Sequence, residues 1–213
     1  MRIDIVSDVT CPWCFIGKRR LERALALRPE VAAAVTWRPF QLNPDMPVSG
    51  MERQAYLSMK FGSAAQADRL YRNVAAAGAT VDIPFDFARI RRTPNTRKAH
   101  ALIRQALAEG VADATVERLF RAYFLEGRDI GDRATLLELA GEIGLGQSVS
   151  ERALDDPASE ERVIAEDRGA RRLGINAVPC FIFDGQYAVS GAQEPEFFLP
   201  IFDLVRTGAE ATA

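Results

Sequence analysis

The chain has 213 residues, 48% of them hydrophobic and 26% charged, with a formal net charge of -2. That size suits one large domain, or a small domain carrying a substantial insertion, and it buries a core without a staple. The near-neutral balance gives no reason to expect a nucleic-acid or anionic-membrane partner, no segment approaches the ~20 apolar residues of a membrane span, and three cysteines do not make a disulfide framework.

The first ten residues, "MRIDIVSDVT", lack the long apolar run of a secretory signal, so the expected setting is cytoplasmic. Arg2–Ser7 predicts a short buried strand through Ile3, Ile5 and Val6. Trp13–Leu27 predicts a helix. Its apolar stripe is Phe15, Ile16, Leu21, Ala24 and Leu25, and Lys18, Arg19, Glu22 and Arg23 are expected to face water. Between strand and helix stands "CPWC", Cys11 to Cys14, with Pro12 where a first helical turn tolerates proline. Val35–Phe40 reads as a second strand, closed by "QLNPDMP".

From Met51 to about Leu173 the pattern is helical. Breaks fall at Gly62-Ser63, Ala77–Asp86, Gly110, Gly127–Asp132 and Gly144–Gly146. Asp156-Pro157 reads as an N-cap followed by proline, and Gly174 as a C-terminal cap. Cys180–Phe183 and Gln186–Val189 read as strands joined by an Asp184-Gly185 turn, and Pro195–Val205 as a closing helix.

The cysteine pair carries the chemistry. A thiolate at a helix N-terminus is stabilised by the helix dipole and by unpaired backbone N–H groups. The reading therefore makes Cys11, the outer cysteine, the nucleophile and Cys14, one turn further in, the resolving thiol. Structural zinc needs four ligands, and beyond the pair only Cys180 and His100 are on offer, neither at finger-like spacing. Two buried structural cysteines is the bland alternative. A second informative stretch is "NAVPCFIF". Pro179 opening a strand is an ordinary entry feature; opposite a C-x-x-C pair it would be cis and would leave the Val178 backbone for an extended substrate.

Together, "SDVTCPWCFIGKRRLERAL", "WRPFQLNPDMP", "TPNTRKAH" and "GINAVPCFIFDGQYAVSGAQ" resemble the DsbA-like thioredoxin-fold proteins of the FrnE type. The resemblance implies an α/β fold, a thioredoxin-like core with a large all-helical insertion. Residues 1–46 and 155–213 would form the core and 47–154 the insertion. It implies thiol–disulfide exchange by Cys11 and Cys14, with Pro179 as the cis-proline and Pro12, Trp13 and Val178 beside the substrate. No cofactor is required; glutathione is a candidate redox partner or cosubstrate. The expected partner is a disulfide- or dithiol-bearing protein or small thiol, met by a monomer or homodimer. The wider superfamily includes 2-hydroxychromene-2-carboxylate isomerases and kappa-class glutathione transferases, which carry serine where this chain has Cys11. A glutathione-dependent isomerase or transferase is thus the second reading, and a zinc-holding binding module the third. The Pro-Trp dipeptide departs from the Pro-His of strongly oxidising relatives, and Cys180 stands where a bulkier or hydroxylic residue is commoner.

Other residues carry weaker signals. "NTRKAH" reads as a helix starting near Thr93 or Asn95, with Asn95 a cap and His100 a partly buried helix residue; the resemblance instead turns both toward the redox pair. "RIRR", Arg89–Arg92, reads as a solvated loop face. Ser190–Glu196 reads as an N-capping segment, or as backbone N–H groups holding a carboxylate. Tyr56, Met59, Phe61 and Tyr71 read as core or groove-lining residues, and Cys180 as a small filler in a central strand.

Overall fold

Side chains along β1 (Arg2–Ser7) alternate between two apolar clusters: Ile3 and Ile5 belong to one, Val6 to the other. The computed structural model describes residues 1–210. β1 is central in a four-stranded sheet of order β2-β1-β5-β6, built with β2 (Ala34–Pro39), β5 (Cys180–Phe183) and β6 (Tyr187–Ser190). β2 runs parallel to β1; β5 runs antiparallel to both β1 and β6. Such a sheet needs a cover on each face. On one face Phe181 and Phe183 meet Phe198 and Phe202 of α9 (Pro195–Glu210), which lies beside α1 (Pro12–Ala26). On the other, Val6, Phe40 and Cys180 pack against Ala170 of α8 (Pro157–Arg172) and Ile175.

Between β2 and α8 the chain is mostly helical: α2 (Arg53–Phe61), α3 (Ala64–Ala79), α4 (Arg97–Ala108), α5 (Ala112–Phe124), α6 (Arg133–Glu142) and α7 (Gln147–Asp155). Local chemistry places their ends. Gly62 takes a left-handed φ of 79° and Ser63 then caps α3, accepting from Gln66 N at 3.2 Å. Asp132 caps α6, and Asp156 caps α8 with Pro157 in its first turn. α8 ends in a paired cap: Ile175 N donates to Ala170 O and Gly174 N to Arg171 O, with Gly174 at φ 84°. In the hairpin, Asp184 and Gly185 both have positive φ, the mirror-image turn that matches strand twist. Among the described residues no helix is long and apolar enough to cross a membrane.

Several readings need correction. Lys18 does not face water; it is 3% exposed, because α5 lies across α1 and brings Asp113 and Glu117 to its ammonium at 3.1 and 3.4 Å, with Glu22 as a third partner. Met59 is exposed on α2, whereas Tyr56 is buried and Phe61 and Tyr71 are partly buried around it. Thr93 belongs to a strand: Met51–Glu52 (β3) and Arg92–Thr93 (β4) form a small antiparallel ribbon within the helical block, too short to leave a periodic signal. The helix carrying His100 consequently starts later, at Arg97, and Asn95 Oδ1 accepts from Arg97 N at 3.0 Å in the turn before it. α3 runs to Ala79, so the break expected from Ala77 opens later.

Candidate active site

Cys11 is the N-cap of α1, with extended backbone, and its carbonyl accepts the first helical bond from Cys14 N at 3.0 Å. Proline follows, and the first turn holds no acidic residue to oppose a thiolate. The loop that delivers Cys11 is tied down by Asp8, a carboxylate only 1% exposed. Asp8 accepts from Thr10 N and Thr10 Oγ1, each at 3.1 Å, and from Leu42 N at 2.7 Å. Its carbonyl accepts from Cys11 N at 2.9 Å. Asp8 went unassigned in the sequence, although an Asp two residues before Thr10 is a turn pattern that could have marked it.

β5 supplies the opposite wall. The Val178–Pro179 bond is cis, and Cys11 Sγ donates to Val178 O at 3.6 Å. α1 comes so close here because residue 17 is glycine: a Cβ on Gly17 would meet Pro179 Cγ at 2.9 Å and Phe181 Cζ at 3.1 Å. Gly17 lay inside a helical stretch and carried no sequence signal for this contact.

The three cysteines are free thiols. Burial pushes the Cys14 thiol well above its ordinary value, and the hydrogen bond to Cys11 and negative charge there add to the rise. Ser7 and the Asp8 backbone oppose it. Cys14 is thus built to stay protonated and to donate toward Cys11. Trp13, 40% exposed, and the half-buried Pro12 stand at the mouth of the pair. Cys180 is buried in the cluster with Val6 and Phe40, whereas Cys11 and Cys14 belong to the cluster with Ile3 and Phe15, across the sheet.

Cys11, Cys14, Pro12, Trp13, Val178 and Pro179 therefore come together. Asn95 is spent elsewhere: besides its turn bond, its Nδ2 donates to Met46 O at 2.7 Å. His100 is buried, with Nε2 3.1 Å from Phe40 O and 3.8 Å from Asp8 Oδ1, so it reaches the site only through Asp8. In Ser190–Glu196, Gln193 Nε2 donates to Ser190 O, and Ala192 O accepts from Arg20 Nη1 at 2.5 Å. Arg89, Arg91 and Arg92 are exposed, while Ile90 between them is buried. Among the described residues no three His, Cys, Asp or Glu side chains gather as a metal set.

A four-stranded sheet, a cysteine pair at a helix N-terminus and a proline facing it define a thioredoxin-type fold. The profile of the DSBA-like thioredoxin domain matches residues 2–202, and the chain belongs to that family. It is similar to a probable DsbA oxidoreductase from Streptomyces coelicolor, at 33% identity and a TM-score of 0.88, over 97% of this chain and 90% of that one. It is 26% identical to the uncharacterized protein YwbO of Bacillus subtilis (strain 168), over 93% of this chain and 94% of the relative. Its fold also matches the cytosolic disulfide reductase DsbM from Pseudomonas aeruginosa, with a TM-score of 0.65, 22% identity, and coverage of 100% and 98%.

Proposed function

We propose that the chain is a thiol–disulfide oxidoreductase in which Cys11 attacks and Cys14 resolves. The observation that carries this reading is the asymmetry of the pair. Cys11 caps α1 with its sulfur against the Val178 carbonyl, and Cys14 lies behind it with its proton held by burial.

In the reducing direction, the Cys11 thiolate attacks one sulfur of a substrate disulfide. The new S–S bond joins Cys11 to substrate, and the other substrate sulfur leaves as a thiolate. Cys11 is then neutral, so the charge that helped keep Cys14 protonated is gone. Cys14 loses its proton to solvent and attacks Cys11 Sγ, releasing the second substrate thiol and closing the Cys11–Cys14 disulfide. The reverse sequence oxidises a substrate dithiol. The Val178 backbone is placed to align an extended substrate segment, and Trp13 offers it an apolar platform.

In this reading residues 1–46 and 155–213 form the catalytic core and 47–154 cover it. No metal or organic cofactor takes part. The substrate is a disulfide- or dithiol-bearing protein or small thiol, in a cytoplasmic setting with glutathione as the redox partner; DsbM, with the same fold, is described as a cytosolic disulfide reductase. Turnover of insulin with dithiothreitol tests the reading. The native chain is expected to speed insulin reduction and Cys11→Ser to abolish the effect; equal rates for both would overturn it.

A further inference from the structure

Ser7 closes β1 with a hydroxyl that has nothing to bond. The residue is 4% exposed, and among the described residues its Oγ meets no hydrogen-bond partner. A buried hydroxyl left unpaired is costly, and its presence asks for a reason. Alternation along β1 puts Ser7 on the face of Ile3 and Ile5, which pack in one cluster with Cys11 and Cys14. The hydroxyl also works against the rise of the Cys14 thiol, which it does by standing near that sulfur.

A cavity of about 10 Å³, room for one water, borders Ser7. Val9, from the apolar cluster of the two cysteines, is in its wall, and so is His100 of α4. His100 is 3% exposed. Its Nε2 stands 3.1 Å from Phe40 O; a carbonyl only accepts, so Nε2 carries the ring proton and Nδ1 is the basic nitrogen. Asp8 Oδ1, 3.8 Å from Nε2, is placed to balance a positive imidazole, and the Asp8 carbonyl accepts from Cys11 N at 2.9 Å. Arg38 and Arg104, whose side chains reach solvent, line the other side of the cavity, each paired with its own carboxylate, Asp4 and Glu166. Cavity, buried base and redox pair thus meet on residues 7–9.

We infer that Ser7, one water in this cavity and His100 form the relay that takes the proton from Cys14 as it resolves the mixed disulfide. The inference rests on the oxidoreductase reading above and gives its second step a proton acceptor. Cys14 is 1% exposed, so its proton has no direct way out. In the step, the Cys14 S–H proton passes to Ser7 Oγ, the Ser7 proton to the water, and a water proton to His100 Nδ1. The Cys14 sulfur attacks Cys11 Sγ. The Cys11–Cys14 bond forms as the Cys11–substrate bond breaks, and the electron pair leaves on the substrate sulfur. The imidazolium, held beside Asp8, then gives its proton up to solvent on the side of Arg38 and Arg104.

The test is stopped-flow reaction of the reduced protein with one equivalent of dithiobis(nitrobenzoate), which reports the two steps separately. Attack by Cys11 releases the first coloured thiolate, and resolution by Cys14 releases the second at a rate independent of protein concentration. Ser7→Ala is expected to slow the second release by about tenfold or more, the loss of a member of a proton path, and to leave the first within about twofold. Its urea midpoint should not fall, because the hydroxyl has no protein bond to lose. His100→Gln, which keeps a donor for Phe40 O and removes the base, is expected to slow the second release by a similar factor. The double variant should be no slower than the slower single one, because both residues lie on one path. Ser7→Ala decides the matter alone if His100→Gln does not fold. An unaltered second release in Ser7→Ala would overturn the relay, as would single effects that multiply in the double variant. A native protein that releases neither thiolate would overturn the oxidoreductase reading along with it, whereas two releases with no dependence on Ser7 would overturn the relay alone.

Discussion

Gly17 and Pro179 touch across the gap between α1 and β5, close enough that a methyl group on residue 17 would stand 2.9 Å from the proline ring. The ring is rigid, and Phe181 blocks the other side at 3.1 Å, so an added Cβ must move the helix. Moving the helix moves Cys11, its N-cap, away from the Val178 carbonyl.

Gly17→Ala is therefore expected to lower kcat/KM for disulfide reduction by roughly tenfold, since small misplacements of reacting groups are costly. Alanine's better helix propensity offsets part of the overpacking, so stability should fall by no more than about 1–2 kcal/mol. Steady-state insulin reduction and a urea melt check the two effects separately.

Alkaline pH should destabilise the reduced protein. Burial raises Cys14, and burial likewise holds the Tyr123 phenol well above its ordinary range. A group raised in the folded state stabilises fully below its unfolded pKa, and that stability is lost as pH climbs toward the folded value. Loss should begin above about pH 8.5 from Cys14 and steepen above about pH 10 from Tyr123. Burial raises the Cys180 thiol as well, so urea melts across pH are expected to show Cys14→Ser losing part of the earlier phase and keeping the later one.

Lys18→Met should expose the cost of the carboxylates gathered on its ammonium. Glu22 and Asp113 are 42% and 61% exposed, so solvent screens them and the loss at pH 7 is about 1–2 kcal/mol, below that of a fully buried pair. Burial works against Glu22 ionising, but Lys18 and Arg19 outweigh it and hold its carboxyl below the usual value. A lowered carboxyl stabilises above its unfolded pKa, and this is lost as pH falls through the folded one. The native chain should thus lose this contribution below about pH 4.3, and the gap between it and Lys18→Met should narrow there. Thermal melts at pH 7 and pH 3.5 provide the comparison.

Features written in neighbouring residues are legible in the sequence. Pro12, the Asp156-Pro157 cap, Gly174 and the Asp184-Gly185 turn each act through their own backbone, and each stands where local chemistry puts it. The hairpin's second strand and β2 differ from the reading by a single residue at each end. What pattern could not reveal depends on partners distant in the chain. Lys18 looks like a solvent-facing residue until Asp113 and Glu117 are folded over it. Gly17 gains its meaning from Pro179, and Asp8 from Leu42. The β3–β4 ribbon, two residues on each side, is shorter than any period it could display.

If Cys11 attacks and Cys14 resolves, removing one or the other leaves different trapped species. Cys14→Ser, reduced and then mixed with a small excess of a disulfide peptide, is expected to accumulate one mixed disulfide, mapped by mass spectrometry to Cys11. Cys11→Ser under the same conditions is expected to accumulate none, because Cys14 is buried and held protonated. An adduct on Cys14 in Cys11→Ser that forms as fast as the one on Cys11, or the absence of any adduct in Cys14→Ser, would contradict the account.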